Sequence, residues 1–151
     1  MICNNICVTL LFAQFLSHHS AMTLLINSIH TDWLQAPPLT LAPQQVACLY
    51  GDSGAGKSRL LRAIADLDPN DLAAQLNGES RENSRPENWR QQVQYLPAEP
   101  VWWTDTAGEI LSTEMRDLAP HIGLSTALLD KPIGQLSTGE RQRCALLRAL
   151  S

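Results

Sequence analysis

Eight consecutive residues have the types and spacing to grip a phosphate group. Gly51, Asp52, Ser53, Gly54, Ala55, Gly56, Lys57 and Ser58 match G-x-x-x-x-G-K-[ST] in full, the pattern of a phosphate-cradling loop. Each position has a physical reason. The glycines let the backbone turn tightly and bring successive N–H groups within reach of phosphate oxygens. Lys57 supplies a point charge for the β and γ phosphates of a nucleotide, and the Ser58 hydroxyl is a ligand for Mg2+. Arg59, next in the chain, is taken with them as part of the same contact. The bland alternative is a Gly-rich turn with an accidental lysine, and the flanking elements argue against it.

Those elements are a short apolar run before the loop and a helical pattern after it. Residues 46–50, VACLY, read as a buried strand of a parallel sheet, because such strands are continuous in hydrophobicity rather than alternating. After Lys57 the apolar residues Leu60, Leu61, Ile64, Ala65 and Leu67 fall on one helical face. This helix is expected to stop before Asp68-Pro69, since proline disfavours helix at the residue before it. Such a helix would offer its positive N-terminal end to the same anion as the loop.

A second stretch, QLSTGERQRCALLRAL at 135–150, carries another signal. Ser137 followed three residues later by Glu140, ahead of an amphipathic run, is a capping box that starts a helix. Many proteins have one, so this reading alone implies no function.

Elsewhere TLLINSI from Thr23 reads as a strand, and APPLTLAPQQ from Ala36 as a Pro-rich connection. Residues 77–88, polar with Asn-Gly and Pro, read as a loop or turn region. QVQYLP, 92–97, reads as a strand, and 102–123 as short helical pieces. Strand, loop and helix alternate, which makes the class α/β.

Composition sets the outer limits. The chain has 151 residues, 44% hydrophobic and 17% charged, the balance of one globular domain. A net charge of −4, with no Lys or Arg before Lys57, argues against a nucleic-acid partner, which selects for a basic surface. Cys3, Cys7, Cys48 and Cys144 are scattered and read as reduced thiols, with Cys48 a small buried hydrophobe. The apolar segment 6–16 is too short to span a bilayer and lacks a positive flank. With a second methionine at Met22, residues 1–21 read as an upstream extension or mis-called start; an export or membrane-surface segment is the alternative.

Leu-Ser-Thr-Gly-Glu, followed by Arg-Gln-Arg and an Ala/Leu helix, resembles the signature sequence of ATP-binding cassettes. With the phosphate loop about 80 residues upstream, residues 22–151 resemble the N-terminal part of the nucleotide-binding subunit of an ABC transporter. The resemblance implies a P-loop NTPase core with a small helical subdomain at about 100–150. It implies ATP and Mg2+ as ligands, and a second cassette as partner, most simply in a homodimer. It also implies a separate membrane permease and a cytoplasmic location at the inner face of the plasma membrane. Ser137, Thr138, Gly139 and Glu140 would then meet the γ-phosphate held by the partner cassette.

The resemblance organises weaker residues too. Residues 90–111 are similar to the family's Q-loop region, but Ala98, followed by Glu99, stands where the family carries glutamine. Trp33 is the best candidate for stacking on adenine, whereas Trp102 and Trp103 are expected to pack the helical subdomain onto the core. The family's Asp-Glu strand, the loop that pairs its subunits and its phosphate-sensing histidine are not found in these 151 residues. The 151 residues alone are therefore expected to bind nucleotide far better than they hydrolyse it. They are also expected to leave a sheet centre open, and so to aggregate. A nucleotide-binding chain without turnover and a non-transport ABC-type ATPase are the alternative readings.

Overall fold

The computed structural model describes residues 10–12, 22–30 and 35–150. Trp33, Cys3, Cys7 and most of the segment 1–21 lie outside the described residues. The chain divides into two compact units, the first running through Tyr95 and the second beginning at Leu96.

The first unit is built on an antiparallel sheet. Strand β1 (Leu10–Phe12) pairs with β8 (Val93–Tyr95), and β3 (Ile29–His30) pairs with β4 (Gln35–Ala36). The larger sheet runs in the order β5 (Leu39–Leu41), β2 (Leu24–Ile26), β6 (Ala74–Leu76), β7 (Glu79–Ser80). Its register sets Leu24 opposite Leu41 and Leu76, and Ile26 opposite Leu39 and Ala74. Alternation then turns one face inward, so that Leu24, Ile26, Leu41, Ala74 and Leu76 are all buried. They share a core with Leu60, Leu61, Ala63 and Ile64 of the helix α1 (Lys57–Ile64) and with Trp89 of α2 (Pro86–Gln92).

Several local expectations change here. The Pro-rich connection contains strand β5, because Leu39–Leu41 finds β2 as a partner despite the flanking prolines. The polar stretch 77–88 is more than a loop or turn. Asn77 and Gly78 take positive φ of 53° and 82° between β6 and β7, the two-residue hairpin that Asn-Gly favours. Helix α2 begins inside it, with Pro86 in the first turn where its missing N–H costs nothing.

The run 46–50 is the largest correction. It carries no regular secondary structure, and Val46 and Tyr50 are 87% and 82% exposed. Cys48 is exposed rather than buried. A continuous apolar run becomes a central strand only where strands flank it on both sides, and no sheet of the described residues includes this one. Among the described residues every strand pairing is antiparallel.

The second unit is helical. It contains α3 (Thr113–Leu118) and α4 (Thr138–Ala149), joined by short 3-10 turns. Their core gathers Ala107, Leu111, Met115, Ala119, Leu124, Leu129, Leu136, Cys144 and Leu147. Burial pushes the Cys144 thiol above its ordinary pKa and keeps it protonated. Trp102 packs against this core, but Trp103 is 71% exposed, contrary to the packing role expected for both.

Candidate functional site

Residues 51–56 run in irregular turns directly into α1. Gly54 and Gly56 have φ of 86° and 84°, a region that residues with a Cβ enter only with strain. Gly56 is the N-cap of α1 and brings no side-chain hydrogen bond, and the first turn contains no acidic residue. Gly56 thus contributes no capping side chain and the first turn no carboxylate, so neither offsets the helix dipole at this end. An anion completes such an end.

Lys57 folds back over the loop. Its Nζ donates to the carbonyl oxygens of Gly51 and Asp52, each at 2.7 Å. Within the loop, Ala55 N–H donates to Asp52 O at 3.2 Å. Residues 51–55, Ser58 and Arg59 are exposed, whereas Gly56 and Lys57 are half-buried. Ser58 occupies the second position of α1. The residues read as a phosphate loop thus form one irregular turn across which the Lys57 ammonium group is hydrogen-bonded. Among the described residues no cluster of three His, Cys, Asp or Glu could hold a metal ion. A Mg2+ ion that enters with a nucleotide needs no such cluster, since it takes most of its oxygens from phosphates and water.

The C-terminal end of α1 is the opposite of its start. The helix ends at Ile64, three residues before the expected stop, because Asp66 enters the left-handed region with φ 56°. Leu67 N–H reaches Arg62 O at 2.9 Å and Asp66 N–H reaches Ala63 O at 3.1 Å, the two bonds of a Schellman ending. The Asp68 carboxylate pairs with Arg62 at 2.7 Å, and that hydrogen bond holds it below the usual carboxylate range.

In the second unit the expected capping box is present. Ser137 Oγ accepts from Glu140 N–H at 3.3 Å, and Ser137 N–H donates to Glu140 Oε2 at 2.7 Å. Arg141 donates to Leu136 O at 2.8 Å and to Thr138 Oγ1 at 3.3 Å. Ser137, Thr138, Gly139 and Glu140 therefore form the first turn of α4, with Ser137 and Thr138 exposed. The hydrogen bonds from Ser137 lower the Glu140 pKa. A carboxylate favoured in the folded state stabilises it above the ordinary glutamate pKa of about 4.3, and this contribution is lost as pH falls through the lower folded value. We expect Glu140→Gln to remove that acid-side dependence in pH-jump melts followed by circular dichroism. Ser137→Ala should cost about 1 kcal/mol, read as a lower urea midpoint.

Two attachments were not foreseen from the sequence. Gln142 Nε2 donates to Ala98 O at 3.0 Å, and Arg148 Nη1 donates to Val101 O at 2.8 Å. Arg148 also stacks over the rings of Trp102 and Trp103, at 4.6 and 4.7 Å from their centres. Partial burial depresses its pKa below the ordinary arginine value. The segment that resembles the Q-loop is thus fastened to α4 through backbone carbonyls, while Glu99 remains an exposed carboxylate. Carbonyl acceptors have no sequence signature, so no residue type announces these bonds.

A family model described as ABC transporter matches residues 34–151. The chain belongs to the ABC transporter family. It is 34% identical over 115 residues to the probable iron export ATP-binding protein FetA of Escherichia coli (strain K12), covering 68% of this chain and 51% of that one. It is 36% identical over 134 residues to the aliphatic sulfonates import ATP-binding protein SsuB 2 of Agrobacterium fabrum, covering 80% and 48%. A third relative, the Fe(3+) ions import ATP-binding protein FbpC of Streptomyces avermitilis, is 33% identical over 132 residues, covering 78% and 38%. The chain spans about half the length, or less, of these relatives. The fold is similar to that in a structure of a bacterial Atm1-family ABC exporter with ATP bound, with a TM-score of 0.60 at 21% identity, over 91% of this chain and 29% of that one. The α/β cassette class expected from the sequence is therefore that of its relatives. Among the described residues no helix is long and apolar enough to cross a membrane.

Proposed function

We propose that this chain binds ATP with Mg2+ through Gly51, Asp52, Ser53, Gly54, Ala55, Gly56, Lys57, Ser58 and Arg59. The observation that carries this reading is the start of α1, a helix opened by a left-handed glycine, without a cap or an acid, beside a lysine held over the loop. Lys57 exchanges two neutral carbonyl acceptors for charged phosphate oxygens, a gain because charge-assisted hydrogen bonds are the stronger kind. Ser58 then ligates the magnesium ion carried by the phosphates.

The protein acts, on this reading, as the nucleotide-binding subunit of an ABC transporter. Two cassettes close on two nucleotides, and Ser137, Thr138 and Gly139, with Glu140 behind them, meet the γ-phosphate bound by the partner cassette. Closure drives a separate permease at the inner face of the plasma membrane. The cargo named for the relatives differs, iron for two and aliphatic sulfonates for another, as expected if the permease chooses it.

A second reading, nucleotide binding without turnover, is favoured by one observation. Ala98 offers no side-chain amide, and its carbonyl is engaged by Gln142. Titration of the 151-residue chain with a fluorescent ATP analogue, with and without Mg2+, tests the first claim, and phosphate release tests the second. Saturable, Mg2+-enhanced binding supports the nucleotide site. Absence of binding to a folded chain overturns it. Binding without phosphate release favours the second reading.

A further inference from the structure

The far end of α1 carries an unusual density of hydrogen bonds, and none of them belongs to the phosphate loop. Trp89 Nε1 donates to Ile64 O at 2.9 Å from a side chain that is 1% exposed. Asn70 Nδ2 donates to Ala63 O at 3.2 Å, and Arg81 Nη1 approaches the same oxygen at 3.4 Å. Arg81 is itself nearly buried, its side chain 9% exposed, and grips Asn70 through Oδ1 at 2.6 Å and the main-chain oxygen at 3.0 Å. Asp66 completes the set, with Oδ1 3.5 Å from Arg81 and Oδ2 3.1 Å from Arg90. Arg90 Nε donates to Asp66 O at 2.8 Å.

This placement matters because α1 has only eight residues. Two turns of helix span about 12 Å, and an isolated helix of that length is marginal in water. Its N-cap brings no capping side chain, so the loop's own contacts are supplemented by what holds the other end. Three side chains from outside the helix close on the Ala63 and Ile64 carbonyls, and two cations lie where the dipole is negative.

We propose that Trp89, Arg81 and Asn70 are positioning residues for nucleotide binding, holding the C-terminal end of α1 so that its opposite end presents preorganised N–H groups to the phosphates. The proposal rests on the nucleotide reading above. A rigid donor array binds better than one that must order itself on contact, so loosening the anchor weakens binding even where the fold survives.

The test is Trp89→Phe in the full chain, which keeps an aromatic ring in the core while removing the N–H donor together with the smaller ring of the indole. Arg81→Lys is the second variant, since it keeps the charge but loses the fork that grips both oxygens of Asn70. Affinity for the fluorescent ATP analogue is measured below the unfolding transition of each variant, alongside amide hydrogen exchange of residues 56–59. We expect roughly tenfold weaker binding for Trp89→Phe and roughly fivefold for Arg81→Lys, scaled from the loss of one or two hydrogen bonds. Exchange of the 56–59 amides should be faster in both. A purely structural role would lower the melting temperature and leave the affinity of the folded variant within about twofold of the parent; that result in both variants overturns the proposal. If the parent does not bind while folded, the nucleotide reading falls and takes the proposal with it. If the parent binds and only Lys57→Ala loses binding, the proposal alone falls.

Discussion

Lys57→Ala abolishes measurable nucleotide binding while leaving the melting curve nearly unchanged: this is the expected result for a half-buried lysine whose hydrogen bonds are to loop carbonyls alone among those observed. The bound state loses several charge-assisted hydrogen bonds at once. At about 1.5–3 kcal/mol for each bond to a charged group, two such bonds alone amount to at least about a hundredfold in affinity. The folded state loses only two exposed contacts, to the Gly51 and Asp52 carbonyls, which compete with water. Titration with a fluorescent ATP analogue, paired with a melt of the same sample, reads both quantities. Equal affinity in the variant would mean that the phosphates lie elsewhere.

Trp89→Ala has the largest expected effect on stability. Trp89 is the largest fully buried side chain, and it lies in the same core as the sheet residues and α1. Truncating a buried tryptophan costs about 3–5 kcal/mol through lost burial and the cavity left behind. Here a buried carbonyl, Ile64 O, also loses its donor. That is a large part of the stability of a typical small domain, so the urea midpoint should fall well below the parent's. Urea unfolding followed by circular dichroism measures it. A midpoint close to the parent's would mean that Trp89 does not close this core in solution.

The contrast between these substitutions explains what could be read along the chain. The turn at 51–56 was legible because its physics is local: Gly54 and Gly56 permit the backbone, and α1 starts at once with Lys57. The same holds for the Ser137–Glu140 box, whose two bonds join residues three apart, and for the Asn77–Gly78 turn. Family membership rests on the match of residues 34–151 to the family model, a span that holds both the 51–58 and the 137–140 patterns.

The tertiary structure decided everything that depends on partners distant in sequence. Apolar composition made 46–50 resemble a buried strand, yet a strand needs neighbours, and Val46 and Tyr50 are exposed. Prolines around Leu39–Leu41 suggested a linker, but β2 supplied the pairing that makes it a strand. Trp102 and Trp103 look alike in sequence; Arg148, more than forty residues on, stacks on both, while only Trp102 joins the core. The anchor of α1 draws on Asn70, Arg81, Trp89 and Arg90, joined largely through backbone oxygens that every residue possesses. The sequence by itself determined the glycine turn that leads into α1. Only the packing of distant side chains determined what holds that turn in place, because a hydrogen bond to a main-chain carbonyl leaves no mark on the residue that accepts it.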